Sequence, residues 1–272
     1  RDRPRPARRP RPHRPLARAR ASARPPAEPF RLKRFWDEAR IAEAEGHFAV
    51  LLDNRPLRLP GGGHLRVAAR PLAEAIAAEW QQAGGGKGSL FSHDDVPLTR
   101  LVGTAEERIA PDPTPTVTAI ARYAETDLLC YRAEDRKLAA RQAVEWDPVL
   151  EWAALVLDAP LRVTTGVMPV GQPPQAISAL TRAVAAHPPL ELAALGVAVP
   201  ALGSLVLGLA LLTGRLDPAA AEAAATLDER HQEEFWGLDA EAAQRRAGIA
   251  ADVALAARFV ALARGDHRIL RG

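Results

Sequence analysis

The sequence has only one cysteine, Cys130, so no disulfide bond can form within the chain. Such cysteine usage favours a reducing, intracellular setting. No histidine stands near Cys130 in the sequence to activate its thiol, and leucines precede it directly. We therefore expect Cys130 to pack in the core and not to act as a nucleophile.

Sequence motifs for catalysis and metal binding are also missing. No HExxH, CxxC or GxSxG sequence occurs, and the histidines are scattered without zinc-type spacing. The glycine-rich loop at 84–89 resembles a phosphate-binding loop, but Gln81 stands where the first glycine is required and Gly88 follows Lys87 in place of Ser or Thr. We expect no catalytic residues, no metal site and no cofactor.

Acidic residues are almost absent from the first 27 residues, which carry ten arginines and one aspartate, a balance of +9. Because the whole chain sums to +3, the rest of it sums to about −6. A body of that sign does not suit nucleic acid. The Arg/Pro-rich segment at 1–29 has too few large apolar residues to form a core, so we expect disorder there. Its low acid content is also typical of a transit peptide, although its prolines oppose the amphipathic helix of such peptides.

The sequence has one long uncharged segment, residues 192–212, which is long enough to cross a bilayer. Pro200 and several small residues interrupt this run, and basic residues do not flank one side of it. It is therefore predicted to form a buried hairpin of two short helices, with no stable membrane insertion. A membrane-associated protein remains an alternative that solubility without detergent would exclude.

The periodicity of apolar residues predicts an α+β fold, in which a small β-rich N-terminal domain precedes a larger all-α C-terminal domain. Alternation and turn residues between 30 and 66 predict an antiparallel meander around His47–Leu52. Helical spacing first appears after Pro71 and dominates from Leu98 onward. The predicted boundaries are a tail at 1–29, the β-rich domain at 30–97, the helical domain at 98–265 and a second tail at 266–272. The predicted helices are 71–82, 98–110, 114–130, 134–157, 172–186, 189–199, 201–213, 218–236 and 239–264.

One helical segment, Leu227–Gly237, is acidic and aromatic and has the pattern of a binding face. Four of its residues share one helix face at positions i, i+3, i+4 and i+7: Glu229, Gln232, Glu233 and Trp236. Carboxylates beside a tryptophan are typical of an apolar anchor with a polar rim at a protein interface. The alternative is a solvated helix face with one half-buried tryptophan, since charged helix faces are usually only solvated.

Several unusual sequence words follow one another in a specific order along the body of the chain. They are Arg34-Phe35-Trp36, the segment 52–60 (LDNRPLRLP), the segment 75–80 (AIAAEW), the segment 97–101 (PLTRL), the segment 123–132 (YAETDLLCYR), Gln142, Trp146-Asp147-Pro148, Trp152 and the segment 227–237. This order resembles the ATP12 family of ATP synthase assembly chaperones over about residues 33–262. The four tryptophans before residue 160 are expected to pack in the core or between domains.

The resemblance implies a chaperone and not an enzyme, with the fold class given above. Its expected partner is the unassembled α subunit of the ATP synthase catalytic head, held until the β subunit replaces the chaperone. Heavy use of alanine, arginine and proline is typical of a high-GC bacterium, so the bacterial cytoplasm is expected, with the mitochondrial matrix as the alternative. The free protein is expected to be monomeric.

By this resemblance, the acidic partner-binding motif of the family corresponds to residues 227–237. The implied partner-binding residues are Asp228, Glu229, Gln232, Glu233, Glu234 and Trp236, and the dominant glutamate is either Glu229 or Glu234. Two positions depart from the family pattern: Asp228 replaces a usual glutamate, and Val96 replaces a usual methionine.

A second class of function remains open on the residues alone. A small-molecule-binding protein or enzyme would use the cleft between the two domains, with His93, Asp94 and Asp95 on its rim. A deep pocket with strongly perturbed titratable groups would favour that class.

Overall fold

A computed structural model describes residues 31–166, 168–237 and 239–265, without the Trp236 side chain. The predicted tails at 1–29 and 266–272 lie outside the described residues. Within them the predicted α+β class is confirmed, with a small β region followed by a mostly helical part. The buried apolar residues of both parts form one continuous cluster, from Trp36 to Leu262. The division into domains at residue 97 stays a prediction.

The β region is built on one tight antiparallel hairpin. Its two strands meet with Ala39 opposite Leu52, and the turn between them has positive φ angles at Glu45 and Gly46. Such angles match the right-handed twist of the strands. At the next turn the Asp53 carboxylate accepts the backbone N–H groups of residues 37 and 38 at 3.0 Å each. The strands are β1 (Leu32–Lys33), β2 (Ala39–Ala44), β3 (His47–Leu52), β4 (Arg55–Pro56), β5 (Arg66–Val67), β6 (Leu90–Phe91), β7 (Tyr131–Arg132) and β8 (Thr164–Thr165).

The first helix, α1 (Arg70–Gln82), covers this sheet and carries its aromatic core. Leu72, Ile76 and Trp80 recur every fourth residue and are buried on one face. The indole N–H of Trp36 donates to the carbonyl of Trp80 at 3.0 Å. The core placement expected for the tryptophans is therefore confirmed here, and Trp146 is buried as well, whereas Trp152 is only partly buried.

The helical part shows shorter segments than the periodicity predicted. The predicted helix 98–110 ends in a π-helical turn at Ala105–Ile109, and 114–130 continues after Ala121 only as 3-10 turns. The helices are α2 (Pro97–Thr104), α3 (Thr114–Ala121), α4 (Arg136–Val156), α5 (Pro174–Ala185), α6 (Pro189–Leu202), α7 (Leu205–Leu212), α8 (Pro218–Ala225), α9 (Leu227–Trp236) and α10 (Ala240–Arg264).

The apolar run forms the predicted buried hairpin of α6 and α7, but Pro200 does not divide it. The ring of Pro200 is accommodated in the last turn of α6, which ends at Leu202, and Gly203 makes the break with a φ of +63°. The helices approach so closely that a Cβ on Gly208 would lie 2.5 Å from Val199. Among the described helices, none is both long and apolar enough to cross a membrane.

The hairpin is anchored by a buried carboxylate, that of Asp127. It accepts the hydroxyl of Ser204 at 2.7 Å and the backbone N–H groups of Val206 and Leu129 at 3.0 and 3.1 Å. Burial raises the pKa of the Asp127 carboxyl, while these donors act in the opposite direction. Asp127 thus joins the 3-10 turn Leu128–Cys130 to the start of α7.

Replacing Asp127 with alanine should destabilise the protein strongly, because three buried donors lose their acceptor. We expect the free energy of unfolding to fall by about 3 kcal/mol. The matched control is Asp112→Ala, which removes an exposed carboxylate that accepts one N–H, that of Thr114; its cost should be about 1 kcal/mol or less. Urea unfolding measures both, and equal losses would contradict the anchoring role of Asp127.

A second carboxylate, Glu79 of α1, caps the N-terminus of α2. It accepts the backbone N–H groups of Leu98 and Thr99 at 2.7 and 3.2 Å. Burial raises the pKa of Glu79 to about 6 against the lowering effect of these hydrogen bonds. The folded protein therefore binds this proton more tightly than the unfolded chain does.

The raised pKa of Glu79 should make the wild-type protein lose stability as pH rises from 4.5 through about 6. Glu79→Gln cannot ionise, so it should not show this contribution. The difference in free energy of unfolding between the two proteins should change by up to about 2 kcal/mol between pH 4.5 and 7. Urea titrations across this range measure it, and a constant difference would contradict the raised pKa.

Candidate partner-binding site

The acidic segment forms its own helix, α9, and does not continue α8 as predicted. Thr226 interrupts the predicted helix 218–236 with φ −106° and ψ 13°. Its hydroxyl donates to the carbonyl of Glu222 at 2.9 Å and accepts the Nε–H of Arg230 at 3.0 Å. Arg230 also pairs with the Glu222 carboxylate. This local set of hydrogen bonds fixes the start of α9.

On one side, α9 rests on α4 through polar contacts. The Asp228 carboxylate accepts the amide N–H of Gln142 at 2.7 Å, and the Gln142 side chain is completely buried. The amide oxygen of Gln142 in turn accepts the N–H of Ala133 at 2.8 Å. One turn further along α4, the indole N–H of Trp146 donates to the carbonyl of Ala224 at 2.9 Å. Gln142 therefore holds the acidic helix α9, and Trp146 holds the end of α8, which precedes it.

Arg141 of α4 joins two α9 side chains at the same contact. Its guanidinium lies 3.2 Å from His231 Nδ1 and 2.6 Å from the Glu234 carboxylate. His231 is buried, and its ring meets that of Phe235 edge to face at 5.0 Å between centroids. The hydrogen bond from Arg141 lowers the pKa of Glu234, so this carboxyl is ionised at neutral pH.

On its other side, α9 is tied to α10 by two arginines. Arg245 pairs with Glu229 at 2.9 Å, and Arg246 pairs with Glu233. Hydrogen bonding to Glu233 raises the pKa of Arg246. One oxygen of Glu229 is buried with no hydrogen-bond partner within the described part of the chain.

These contacts divide the six predicted site residues into two groups. Asp228, Glu229 and Glu233 are partly buried and bind side chains of α4 or α10. Gln232 and Glu234 are exposed, with Glu234 held only by Arg141. The side chain of Trp236, predicted to complete the face, lies outside the described residues. The predicted acidic stripe is thus largely neutralised by the chain's own arginines.

Exposed apolar side chains of α9, of α4 and of the segment after α4 were not part of the predicted site. Phe235 is 62% exposed, and Val144 and Leu155 on the outer face of α4 are 71% and 79% exposed. Val163 and Met168, which follow α4 in the chain, are exposed as well. The outer face of α4 carries Val144, Pro148, Glu151 and Leu155 at i, i+4, i+7 and i+11, a spacing that the sequence itself displays. That pattern would have indicated an apolar surface next to the acidic helix.

The two aspartates predicted for a small-molecule site in the cleft, Asp94 and Asp95, make local structural contacts. Asp95 forms a capping box with Ser92, and Asp94 pairs with Arg100 at 2.8 Å. A nearby cavity of about 260 Å³ between α2, α6 and α10 has Arg100 in its lining but not His93 or Asp95. Within the described ranges, no group of three or more acidic, histidine or cysteine side chains could hold a metal ion. Cys130 is buried as expected, and burial raises the pKa of its thiol to about 12.

Charge reversal at two α9 glutamates should separate a structural role from a surface role. Glu233→Lys faces Arg246 in a pair whose side chains are 19% and 15% exposed, so it should lower the free energy of unfolding by roughly 3 kcal/mol. Glu234→Lys, at a half-exposed position, should cost less than about 1 kcal/mol. Thermal and urea unfolding compare them, and a larger loss for Glu234→Lys would contradict this division.

Comparison with known proteins gives consistent matches. The profile of the ATP12 chaperone protein family matches residues 33–154. The crystal structure of Atp12 from Paracoccus denitrificans is 42% identical, covers 85% of this chain and 98% of that chain, and superposes with a TM-score of 0.78. An aspartate-to-lysine mutant of the P. denitrificans protein has the same identity and coverage and a TM-score of 0.79. A protein of Agrobacterium tumefaciens, named as a candidate chaperone, is 39% identical over 85% of each chain, with a TM-score of 0.76.

Proposed function

This chain belongs to the ATP12 family, which makes it an ATP synthase assembly chaperone and not an enzyme, and we propose that the subunit it binds is the unassembled α subunit. We propose further that it covers the α-subunit surface that later contacts the β subunit and releases it during assembly of the catalytic head. The bacterial cytoplasm and a monomeric free state are parts of the same proposal.

The observation that carries the proposal is the exposed ridge of α9, formed by Gln232, Glu234 and Phe235. A large aromatic side chain that is 62% exposed lies next to a carboxylate and an amide. An apolar anchor with polar neighbours is the arrangement found at the energetic centres of protein interfaces.

Three other predicted residues, Asp228, Glu229 and Glu233, attach α9 to the neighbouring helices. Asp228 fixes α9 to α4, while Glu229 and Glu233 fix it to α10 through two arginines. Holding the helix before the partner arrives lowers the entropy lost on binding. Trp236, at the end of α9, belongs to the proposed site by its position in the sequence.

The exposed apolar residues of α4 extend the surface available to the partner. An unassembled α subunit exposes a partly apolar surface that would otherwise aggregate. Val144 lies one turn from Arg141 on α4, so apolar contact is available next to the Glu234 pair. Shielding of an apolar surface needs such contacts in addition to charge.

The ion pair between Glu234 and Arg141 suits binding that must be reversible. Both side chains are about half exposed, at 50% and 47%, so a cation of the partner can compete with Arg141 for the carboxylate. Exchange of one exposed pair for another changes specificity and rate more than net affinity. The α subunit can then be held without blocking its transfer to the β subunit.

The test is co-purification of the tagged chain with the ATP synthase α and β subunits, each expressed separately. We expect capture of α and not of β by the wild-type chain. Glu234→Lys should reduce the captured α at least tenfold, because a lysine there repels the partner's cation. Phe235→Ala should reduce it as well through the lost anchor.

The matched control is Glu74→Lys on α1. Glu74 is 53% exposed and pairs with Arg70 at 2.8 Å, so it resembles Glu234 in exposure and pairing but lies on another helix. It should leave the capture of α unchanged. Failure of the wild-type chain to capture α, or equal losses for Glu74→Lys and Glu234→Lys, would overturn the proposal.

A further inference from the structure

A second surface lies in the β region, far from α9 in the sequence. It is an open cleft of about 420 Å³ between β1 and the turn that joins β3 to β4. Its lining is mainly apolar and includes Phe35, Leu52, Leu57 and Trp80. Phe35 is 53% exposed, whereas the other three are almost completely buried.

The floor of the cleft is rigid because three rings support one another. Trp36, Trp80 and Phe91 meet pairwise with centroids 5.0 to 5.6 Å apart. The buried guanidinium of Arg34 holds the adjoining backbone and donates to the carbonyls of Gln81 and Ala83 at 2.8 and 3.1 Å. The apolar surface is therefore formed before any ligand arrives, which favours binding.

Three cations line the cleft: Lys33, Arg55 and Arg58. All three are exposed, and none of them has an ion pair with a carboxylate of the described residues. Arg66, an exposed arginine of the same region outside the cleft, likewise has no carboxylate partner among the described residues, so the clustering of three cations, and not the lack of ion pairs, distinguishes the cleft. The cleft thus combines an apolar floor with a basic rim.

Among the described residues, β1 is paired on one side only, with β6. Arg34 exchanges backbone hydrogen bonds with the β6 side, accepting from Gly88 and donating to Ser89. Alternation along an antiparallel pair then directs the backbone groups of Lys33 away from β6. On the opposite wall, Pro56 has no N–H to offer a neighbouring strand. The Lys33 wall therefore offers both a donor and an acceptor to an extended chain, whereas Pro56 can offer only its carbonyl.

We propose that this cleft binds an extended peptide segment of a partner protein, with a large apolar side chain over the Trp80 floor and carboxylates beside Lys33, Arg55 and Arg58. The strand edge supplies main-chain pairing, the apolar floor takes the anchor, and the basic rim selects acidic neighbours. Stacked nucleotide bases would need several exposed ring faces, but of the four aromatic rings that line the cleft only Phe35 is exposed, and Trp36, Trp80 and Phe91 are buried. The chain's own residues 1–27 carry a balance of +9, the wrong sign for this rim.

The test uses the full chain and three fluorescein-labelled synthetic peptides of equal length. The first carries phenylalanine between valines with two acidic residues on each side; the second has lysines in place of the acids, and the third has alanine in place of phenylalanine. The first peptide should bind at least tenfold more tightly than the other two in fluorescence anisotropy. It should also change the tryptophan emission, because Trp80 lines the cleft.

Arg55→Glu/Arg58→Glu should weaken binding of the first peptide at least tenfold. Arg66→Glu is the matched control, because Arg66 is an exposed arginine of the same sheet outside the cleft. Circular dichroism and the melting temperature should be unchanged in both variants, since all three arginines are exposed.

Three outcomes would overturn the proposal: no binding of the acidic peptide, equal binding of the lysine peptide, or equal effects of the cleft and control variants. Binding that is seen only after removal of residues 1–30 would assign the cleft to the chain's own segment and would overturn it too. The assay contains no ATP synthase subunit, so its failure is distinguishable from a failure of α-subunit capture.

Discussion

The close packing of α6 against α7 is the constraint on which the helical part depends. Every residue of α7 is buried, and α10 and α8 pack around the hairpin. Burying so much apolar surface provides most of the driving force for folding. The same burial requires that the polar groups at the turn be satisfied, and Asp127 with Ser204 meets that need.

The helix α9 is attached in a different way. Its sequence LDERHQEEFW contains few apolar residues, and it lies against α4 and α10 mainly through ion pairs and hydrogen bonds. An apolar attachment would have buried Phe235, whereas a polar attachment leaves that ring available. The proposed partner-binding ridge is thus a consequence of how α9 is held.

The spacing of apolar residues predicted most helices and strands. It did not predict the positions at which side-chain hydrogen bonds end a helix. The buried faces of α1 and of the α6–α7 hairpin follow directly from apolar spacing. The break at Thr226 does not, because apolar spacing does not show that the Thr226 hydroxyl bonds to Glu222 and Arg230, four residues away on either side. The break between α6 and α7 was predicted at Pro200 but lies at Gly203. A proline near the end of a helix costs little, whereas the positive φ of Gly203 ends the helix.

The partner-binding role of the predicted residues stays a prediction, but the structure gives two of them other surroundings than the periodicity implied. Periodicity grouped Glu229 and Glu233 with Gln232, because it assumes that charged residues face water. The arginines that pair with these glutamates come from α10, beyond the turn that follows α9, and no short-range pattern announces such a pairing. The exposure of Phe235 is likewise a property of packing, since an apolar residue in an amphipathic helix is ordinarily assigned to the core.

The apolar packing of the α6–α7 hairpin and the ion pairs that hold α9 respond oppositely to salt. Salt screens the Arg141–Glu234 and Arg245–Glu229 pairs, whose side chains are 32–55% exposed, with a Debye length of about 8 Å at physiological concentration. It screens the more buried Arg246–Glu233 pair less. Strongly hydrated anions such as sulfate have the reverse effect on buried apolar surface, which they stabilise. In concentrated sulfate the α6–α7 hairpin would therefore be stabilised, while the half-exposed Arg141–Glu234 pair between α4 and α9 would weaken. A chaperone built in this way keeps a stable body and a proposed partner-binding helix whose attachment depends in part on the ionic strength.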